Sequence, residues 1–234
     1  MEVATLNLTL GNAQRSFRYR KGLDDEIIVA RVFRDNDFNF GRLHRAGELS
    51  DLYMRLVRTG KKPLIVDIKA NFGASAVYFA HSFEKARLVA VEPVRDSFDL
   101  LVANTAGLPV QCLHAAVSAT TPDKAHPGNG IDLAPPVTCV TVNEIYDNNA
   151  QDTLPFIVKL DMEANGAGLF AANTEWVGRT PILIVVLHDG LIPGTVNSRA
   201  LIEYIANLNR DFVYLRDVVF SVDRDLIARE FGAQ

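Results

Sequence analysis

The chain has few of the features that mark a secreted, membrane-spanning or nucleic-acid-coating protein. Among its 234 residues are only two cysteines, Cys112 and Cys139, which lie in apolar runs and near no cluster of Cys and His with zinc-ligand spacing. Two buried, reduced thiols in a cytoplasmic protein are therefore expected. No apolar run approaches the roughly 20 residues that a bilayer-crossing helix needs. Met1–Leu10 lacks the basic start and long apolar centre of a signal peptide, so we expect no membrane association.

An excess of positive charge is also lacking. The 24 Lys and Arg residues are outnumbered by 28 Asp and Glu residues, which gives a formal net charge of −4. Such a balance argues against a surface that follows a phosphate backbone. The basic segment Arg15–Lys21 is followed directly by the acidic Asp24–Glu26, so we interpret it as a solvated strand face. The sequence therefore predicts no nucleic-acid partner.

What the sequence does contain is a regular alternation of short apolar runs with stretches of helical periodicity. The apolar runs predict strands at 63–67, 87–92, 110–113, 156–161 and 182–187, with a shorter one at 137–142. The helical stretches lie between them, at about 74–83, 96–105, 169–177 and 198–208. Strands that alternate with helices in this way are typical of a doubly wound, mostly parallel α/β sheet.

Two further strand-like runs, 212–215 and 218–222, are separated only by Arg216 and Asp217. So short a link permits an antiparallel pair and no helical crossover. We therefore predict a Rossmann-like α/β fold with a seven-stranded, mostly parallel sheet and a C-terminal antiparallel hairpin. Residues 1–60 are expected to form an N-terminal helical addition, partly extended, that covers the sheet edge or the site, while 61–234 form the main unit. The segment 118–136, rich in Pro, Gly and Asp, is predicted to be a long loop excursion.

Polar residues follow the first two strands of this sheet, at the end where open α/β folds bind ligands. The segment Asp67–Gly73 follows the first strand, and Glu92 with Pro93 ends the second. An acidic side chain at this position and spacing accepts both hydrogen bonds from a ribose diol. No Gly-x-Gly-x-x-Gly follows the first strand, which disfavours a nicotinamide-dependent oxidoreductase.

Six motifs in a fixed order resemble the FkbM-type methyltransferase family. They lie at 66–80, 91–93, 104–107, 114–118, 158–163 and 187–189, and include Val66-Asp-Ile-Lys-Ala-Asn-Phe-Gly73, Val91-Glu-Pro93 and Val158-Lys-Leu-Asp-Met-Glu163. The resemblance covers about residues 17–220. It implies the class I methyltransferase fold, for which a closing antiparallel hairpin is known, and S-adenosylmethionine as cofactor. It also implies methyl transfer to a hydroxyl of a sugar or small natural product.

Carried over position by position, the resemblance assigns two groups of site residues. The cofactor-binding group is Asp67, Lys69, Asn71 and Gly73 around the amino-acid end, Glu92 and Pro93 at the ribose, and Ala115 and Ala116 near the adenine. The catalytic group is Asp161, Glu163 and His188, at the methyl-transfer centre. His188 is the leading candidate for a general base because an imidazole titrates near neutral pH. A divalent cation could in principle bind to the side chains of Asp161, Glu163, His188 and Asp189, but nothing in the resemblance calls for a metal.

Three positions depart from the family pattern, and all lie at the same rim of the predicted sheet. Lys69 stands at the first glycine of Asp-x-Gly-Ala-Asn-x-Gly, Ala164–Gly166 replaces Gly-Ala-Glu, and Val186 replaces a glutamate. Glycine at the first position permits positive φ or close backbone approach, whereas a lysine adds charge near a cationic cofactor. Two interpretations stay open: an active O-methyltransferase, and a catalytically silent relative that binds a ligand or partner. The oligomeric state is also open, a homodimer included.

Overall fold

The computed structural model of the protein describes residues 2–120, 137–162, 166–187 and 199–231. Its strands are β1 (Val3–Leu10), β2 (Ala13–Arg20), β3 (Lys62–Ile68), β4 (Arg87–Val91), β5 (Val110–Leu113), β6 (Ala115–Val117), β7 (Thr138–Val140), β8 (Thr153–Met162), β9 (Ile182–Leu187), β10 (Arg210–Leu215) and β11 (Val218–Asp223). Its α-helices are α1 (Asp25–Val29), α2 (Ala46–Arg58), α3 (Ala74–Ser82), α4 (Arg95–Thr105), α5 (Val142–Asn149), α6 (Glu175–Arg179), α7 (Arg199–Ile205) and α8 (Arg224–Phe231). Within these described ranges, no helix combines the length and apolar character that crossing a membrane demands.

Seven strands form the central sheet in the order β10-β11-β9-β8-β3-β4-β5. Neighbouring strands pair in parallel except around β11, which runs antiparallel to both β9 and β10. From β3 the chain moves outward through β4 to β5, and from β8 it moves the other way to β9. The order therefore reverses between β3 and β8, at the switch point where open α/β sheets bind ligands. The predicted fold class, a seven-stranded mostly parallel sheet with a C-terminal antiparallel hairpin, is confirmed.

Continuous apolar runs form the central strands because hydrophobic residues cover the sheet on both faces. Along β3, Ile65 belongs to one buried cluster and its neighbours Leu64 and Val66 belong to another. Successive strand residues point to opposite faces, so the two clusters lie on opposite sides of the sheet. The cluster of Ile65 includes side chains of α2, α3 and the N-terminal hairpin, and the other cluster includes side chains of α5, α6 and α7. This double cover leaves the carboxyl ends of the strands as the place for a site.

The first 60 residues contain a β-hairpin as well as helices. β1 and β2 pair antiparallel across a two-residue turn, Gly11–Asn12. The hairpin packs on the sheet domain through Phe17, whose ring centroid lies 5.7 Å from that of Phe72 in the loop after β3. The division of the chain at residue 60 stays a prediction.

The basic segment is not solvated throughout: Phe17 is fully buried, and Arg20 is largely so. Arg18 and Lys21 are exposed, as predicted for the whole segment. The side chain of Arg20 is only 13% exposed, and it forms an ion pair of 2.8 Å with Asp25. The solvated interpretation is therefore wrong for Phe17 and Arg20.

Two predicted elements differ in the structure, and two helices were not predicted. The predicted helix 169–177 is a 3₁₀ turn, Gly166–Phe170, followed by α6, and Asn173 breaks it with a φ of 51°. The predicted strand 137–142 ends at Val140, because Thr141 caps α5 through a reciprocal capping box with Glu144. The helices α5 and α8 had no counterpart in the prediction. From residue 121 to 136 the predicted excursion lies outside the described residues.

Candidate functional site

The loop between β3 and α3 is the centre of the candidate site, because it follows the strand at the switch point. Three of its residues have positive φ: Lys69 at 54°, Asn71 at 50° and Gly73 at 90°. Left-handed backbone is uncommon for residues other than glycine, although asparagine tolerates it better than most. The chain thus makes a sharply alternating turn over Lys69–Gly73, and it places a lysine in a conformation that favours glycine.

Asp67 supports this loop from inside the protein. Its side chain is fully buried, and the Ser75 hydroxyl in the first turn of α3 donates to Oδ2 at 2.5 Å. The Lys159 ammonium lies 3.1 Å from Oδ1, but outside hydrogen-bonding direction, so Oδ1 accepts no hydrogen bond from the part of the chain that the structure describes. The carboxylate therefore holds β3 and α3 together, and its assignment to the cofactor stays a prediction.

Lys159 is the site residue that the sequence reasoning missed. It lies in the middle of β8, is 4% exposed, and has Asp67 and, at 3.9 Å, Asp161 as carboxylate neighbours. Nζ also donates to the carbonyl oxygen of Lys69 at 3.1 Å. Burial lowers the pKa of Lys159, but the two carboxylates outweigh it and hold the pKa above its usual value, so the ammonium is charged. A lysine inside an apolar strand was the available signal, since buried lysines are almost always paired.

Glu92 ends β4 and faces the same loop. It is 4% exposed, and its oxygens accept from two backbone amides, Asn71 N–H at 2.8 Å and Val94 N–H at 2.9 Å. Burial raises the pKa of Glu92, while these two hydrogen bonds and the charges of Lys159 and Lys69 oppose the shift. A carboxylate has about four acceptor positions, so the residues that the structure describes leave about two of them unused. Glu92 is thus the group at this edge best equipped to bind a pair of hydroxyls.

Gly73 is explained by packing within the protein. A Cβ atom built there would lie 2.9 Å from Leu101 Cδ1 and 3.4 Å from the Leu101 Cα atom. A Cβ atom would therefore require the Leu101 side chain to shift, and the φ of 90° is a second and stricter requirement for glycine. Gly73 allows the close approach of two helices that flank the site.

Four other predicted site residues, Pro93, Ala115, Ala116 and Asp161, fall at or near the same edge. The Pro93 carbonyl lies 3.1 Å from His114 Nε2. Ala115 is buried and Ala116 half-buried in β6. Asp161 lies on β8 directly opposite Val186 of β9, one of the positions that depart from the family pattern. Outside the described residues lie Glu163, His188 and Asp189, together with Ala164 and Asn165.

The structure thus brings together Asp67, Glu92 and Asp161 around Lys159, as expected for strand ends that meet at one edge, and Asn71 contacts Glu92. Among the residues that the structure describes, no group of three or more His, Cys, Asp or Glu is arranged to hold a metal ion. The arrangement offers a buried carboxylate with unused acceptor capacity beside a loop of left-handed residues. Chemically it is suited to bind a ligand that carries adjacent hydroxyls.

Comparisons with known proteins give likeness of fold. No family model matches the chain, and no curated protein matches its sequence. The chain is similar to the solved precorrin-6y C5,15-methyltransferase from Geobacter metallireducens, with a TM-score of 0.38, 13% identity, and 77% of this chain and 88% of that chain covered. A methyltransferase from Geobacter sulfurreducens gives a TM-score of 0.42, 15% identity, and 88% and 90% coverage. A protein from Corynebacterium glutamicum gives a TM-score of 0.47 and 15% identity, with 86% of this chain and 92% of that chain covered.

Proposed function

We propose that the protein is an S-adenosylmethionine-dependent O-methyltransferase that acts on a hydroxyl of a sugar or small natural product. The observation that carries the proposal is Glu92, a buried carboxylate at the end of the second strand from the switch point, with about two acceptor positions left after its two amide contacts. The strand order with an antiparallel closing hairpin supports it. The resemblance to the FkbM-type family, which no family model match supports, supplies the reaction and the acceptor class.

The residues present fit this cofactor at its ribose. Two adjacent hydroxyls are donors, and Glu92 offers the matching pair of acceptors. Near the positively charged end of the cofactor, the site would offer little free negative charge. Lys69 adds a positive charge near Glu92, and the charge of Asp67 is already balanced by Lys159. When bound, the cofactor supplies an electrophilic methyl group on a sulfonium.

Around that methyl group, the chain's own residues would orient the cofactor and the acceptor and exclude water. Glu92 would hold the ribose, and Ala115 and Ala116 would lie near the adenine. Asp161, near the end of β8 and 3.9 Å from Lys159, would orient an acceptor hydroxyl. His188 keeps its proposed role of general base, and Glu163 its proposed place at the methyl-transfer centre. Alignment of the acceptor with the methyl group supplies much of the acceleration in such an in-line displacement.

A second candidate function is ligand binding without transfer. Two observations favour it: a lysine occupies the left-handed position of the loop, and Val186 lies opposite Asp161 where the family has a carboxylate. Both changes reduce the negative charge available near a cationic cofactor. Release of S-adenosylhomocysteine after mixing the protein with S-adenosylmethionine and a panel of monosaccharides would contradict this candidate.

The proposal is tested by calorimetric titration with S-adenosylmethionine and S-adenosylhomocysteine. We expect the wild type to bind both, and Glu92→Gln to bind about tenfold or more weakly, since a hydrogen bond to a charged group contributes about 1.5–3 kcal/mol. Asp96→Asn, an exposed acid in the first turn of α4, is the matched control and should bind normally. A wild type that binds neither compound contradicts the methyltransferase proposal, and binding of NAD or NADP instead would revive an oxidoreductase.

Binding should also depend on pH through Glu92. Because burial raises the pKa of this carboxyl, it protonates at a higher pH than an ordinary glutamate. Protonation removes the charged acceptor, so wild-type affinity should fall as the pH is lowered through that raised pKa. Titrations of S-adenosylhomocysteine at several pH values test this. Glu92→Gln should lack this fall, and identical profiles for the two proteins would exclude Glu92 as the titrating group.

A further inference from the structure

Arg20 connects the N-terminal hairpin to the loop of the candidate site. Its guanidinium forms a two-pronged contact with the Asp25 carboxylate, Nε to Oδ2 at 2.9 Å and Nη2 to Oδ1 at 2.8 Å. Nη1 donates to the Ser97 hydroxyl at 2.9 Å, and Nη2 also donates to the Asn71 side-chain oxygen at 2.8 Å. One side chain therefore joins β2, α1, α4 and the loop after β3.

The contact with Asn71 matters because of what Asn71 does next. Its backbone is left-handed, with a φ of 50°, and in that conformation its N–H donates to Glu92 at 2.8 Å. Arg20 thus holds the side chain of the residue whose amide holds the proposed ribose carboxylate. The guanidinium also lies over the Phe72 ring, 5.9 Å from its centroid. Hydrogen bonds therefore run without a break from Arg20 in the hairpin through Asn71 to Glu92 in the site.

A second contact fixes the same loop to the same strand. The Asn104 amide in α4 donates to the carbonyl oxygens of Phe72 and Arg18, both at 2.8 Å, and accepts from the Arg18 N–H at 2.8 Å. The loop is therefore bound to β2 at two neighbouring residues, at Asn71 through Arg20 and at Phe72 through Asn104. With Asn104 fixing the neighbouring Phe72, the Arg20 contact is the one that sets the Asn71 side chain.

We propose that Arg20 is a positioning residue for cofactor binding, which acts by holding Asn71 in the left-handed conformation that presents its amide to Glu92. This proposal rests on the proposed function, because it takes Glu92 as the ribose contact. The charge of Arg20 is balanced by Asp25, so Arg20 acts through geometry and adds little repulsion toward a cationic ligand. Groups fixed in this way by an outer hydrogen bond lose accuracy when that bond is removed.

The test uses variants that keep the buried Asp25 partnered. Arg20→Lys retains a positive charge beside Asp25, but a single ammonium does not reproduce the planar fork that reaches Asp25, Ser97 and Asn71 together. Asn71→Gly removes the same hydrogen bond from its other end and allows the positive φ. Arg18→Met, an exposed position on the same strand, is the matched control.

Calorimetric titration with S-adenosylhomocysteine should give a Kd about tenfold higher for Arg20→Lys and for Asn71→Gly, and an unchanged Kd for Arg18→Met. The double variant Arg20→Lys/Asn71→Gly should bind no more weakly than the weaker single variant, because both remove one interaction. Thermal unfolding measured in parallel separates affinity from stability. Independent effects that multiply in the double variant, or an unchanged Arg20→Lys, would overturn the positioning role. A wild type that does not bind would overturn the proposed function itself.

Discussion

Lys69 is a lysine in a backbone conformation that costs a residue with a Cβ about 1–2 kcal/mol. Glycine avoids that cost but loses about 0.5–1 kcal/mol of backbone entropy on folding. We therefore expect Lys69→Gly to raise the free energy of unfolding by about 0.5–1 kcal/mol, measured by urea denaturation. The substitution also removes a positive charge near Glu92. Affinity for S-adenosylmethionine, which carries a sulfonium, should rise several-fold relative to S-adenosylhomocysteine, which does not.

The control for Lys69→Gly is Asn36→Gly, at another left-handed residue with a φ of 55°. It should change stability slightly and leave the ratio of the two affinities unchanged. If Lys69→Gly also left that ratio unchanged, the charge of Lys69 would not reach the ligand, and the departure from the family pattern would be of no consequence for binding.

Lys159 and Asp67 form a buried pair whose halves depend on each other. Lys159→Met leaves the Asp67 carboxylate fully buried, and among the described residues only the Ser75 hydroxyl then donates to it. Removing one partner of a buried pair typically costs about 3–5 kcal/mol, and we expect that loss in urea denaturation. The double variant Lys159→Met/Asp67→Asn should recover a large part of it. A double variant as unstable as the sum of the two singles would show that charge balance is not the reason for the pair.

Single residues also show how far the sequence led toward the site. Asp67 and Glu92 were predictable because strand ends of a parallel sheet meet at one edge. Lys159 was missed because its partner Asp67 lies on another strand and its own neighbours are apolar. Arg20 was misread because its basic neighbours are exposed, while its partners Asn71 and Ser97 are distant in sequence. Contacts between remote segments depend on packing that a local pattern does not contain.

Among the elements, the edge strand β10 depends on one buried side chain, Arg210. Its guanidinium donates to four backbone carbonyl oxygens, those of Val177, Thr180, Pro181 and Ser221, and to the side chains of Ser221 and Asp223. These contacts join β10 to β11, to the end of α6 and to the residue before β9. Burial lowers the pKa of Arg210 to about 10, against the opposing charge of Asp223, so it stays charged at neutral pH.

We expect Arg210→Met to lower the free energy of unfolding by about 3–5 kcal/mol, because it leaves several buried acceptors unpaired. Arg210→Lys should recover little of this loss, since one ammonium cannot reach the same set of oxygens. Arg224→Met is the control, as its side chain is 69% exposed and lies 3.8 Å from Asp211; it should cost less than about 1 kcal/mol. Chemical denaturation of all three variants gives the comparison. Equal losses for Arg210→Met and Arg224→Met would contradict this account of β10.

The elements also differ in how well the sequence predicted them. The central strands were predictable because strands buried on both faces are continuous apolar runs. The hairpin β1–β2 carried its own signal, an alternation of Leu6, Leu8 and Leu10 with polar residues before Gly11–Asn12, a pair that suits a two-residue hairpin turn. The helix α6 was misjudged because the apolar spacing runs on through Asn173, whose left-handed backbone interrupts the helix. Backbone breaks at asparagine leave no trace in hydrophobic spacing.

At the scale of the whole molecule, the N-terminal 60 residues and the sheet share one hydrophobic cluster. Ring contacts cross from one to the other, with centroid separations of 5.7 Å for Phe17 and Phe72, and 5.6 Å for Phe40 and Phe220. We expect a single cooperative unfolding transition. Phe17→Ala should lower the free energy of unfolding by about 3–5 kcal/mol, because the substitution leaves a cavity at a fully buried position of that cluster.

The single tryptophan provides the measurement. Trp176 lies in the cluster on the opposite face of the sheet from Phe17. Its fluorescence and the far-ultraviolet circular dichroism should report the same denaturation midpoint, and Phe17→Ala should shift both equally. An earlier transition seen by circular dichroism alone would mean that the N-terminal segment unfolds separately, which would support a domain boundary near residue 60.

The position of β11 has a consequence for biosynthesis. β11 lies between β9 and β10 in the sheet, yet it follows both of them along the chain. A ribosome therefore releases β10 while the edge of β9 is still uncovered, and β10 has to leave that edge vacant. The final strand order cannot form before residues 218–223 have been synthesised, so the central sheet is completed only after β10 has left the ribosome, however early its first strands pair.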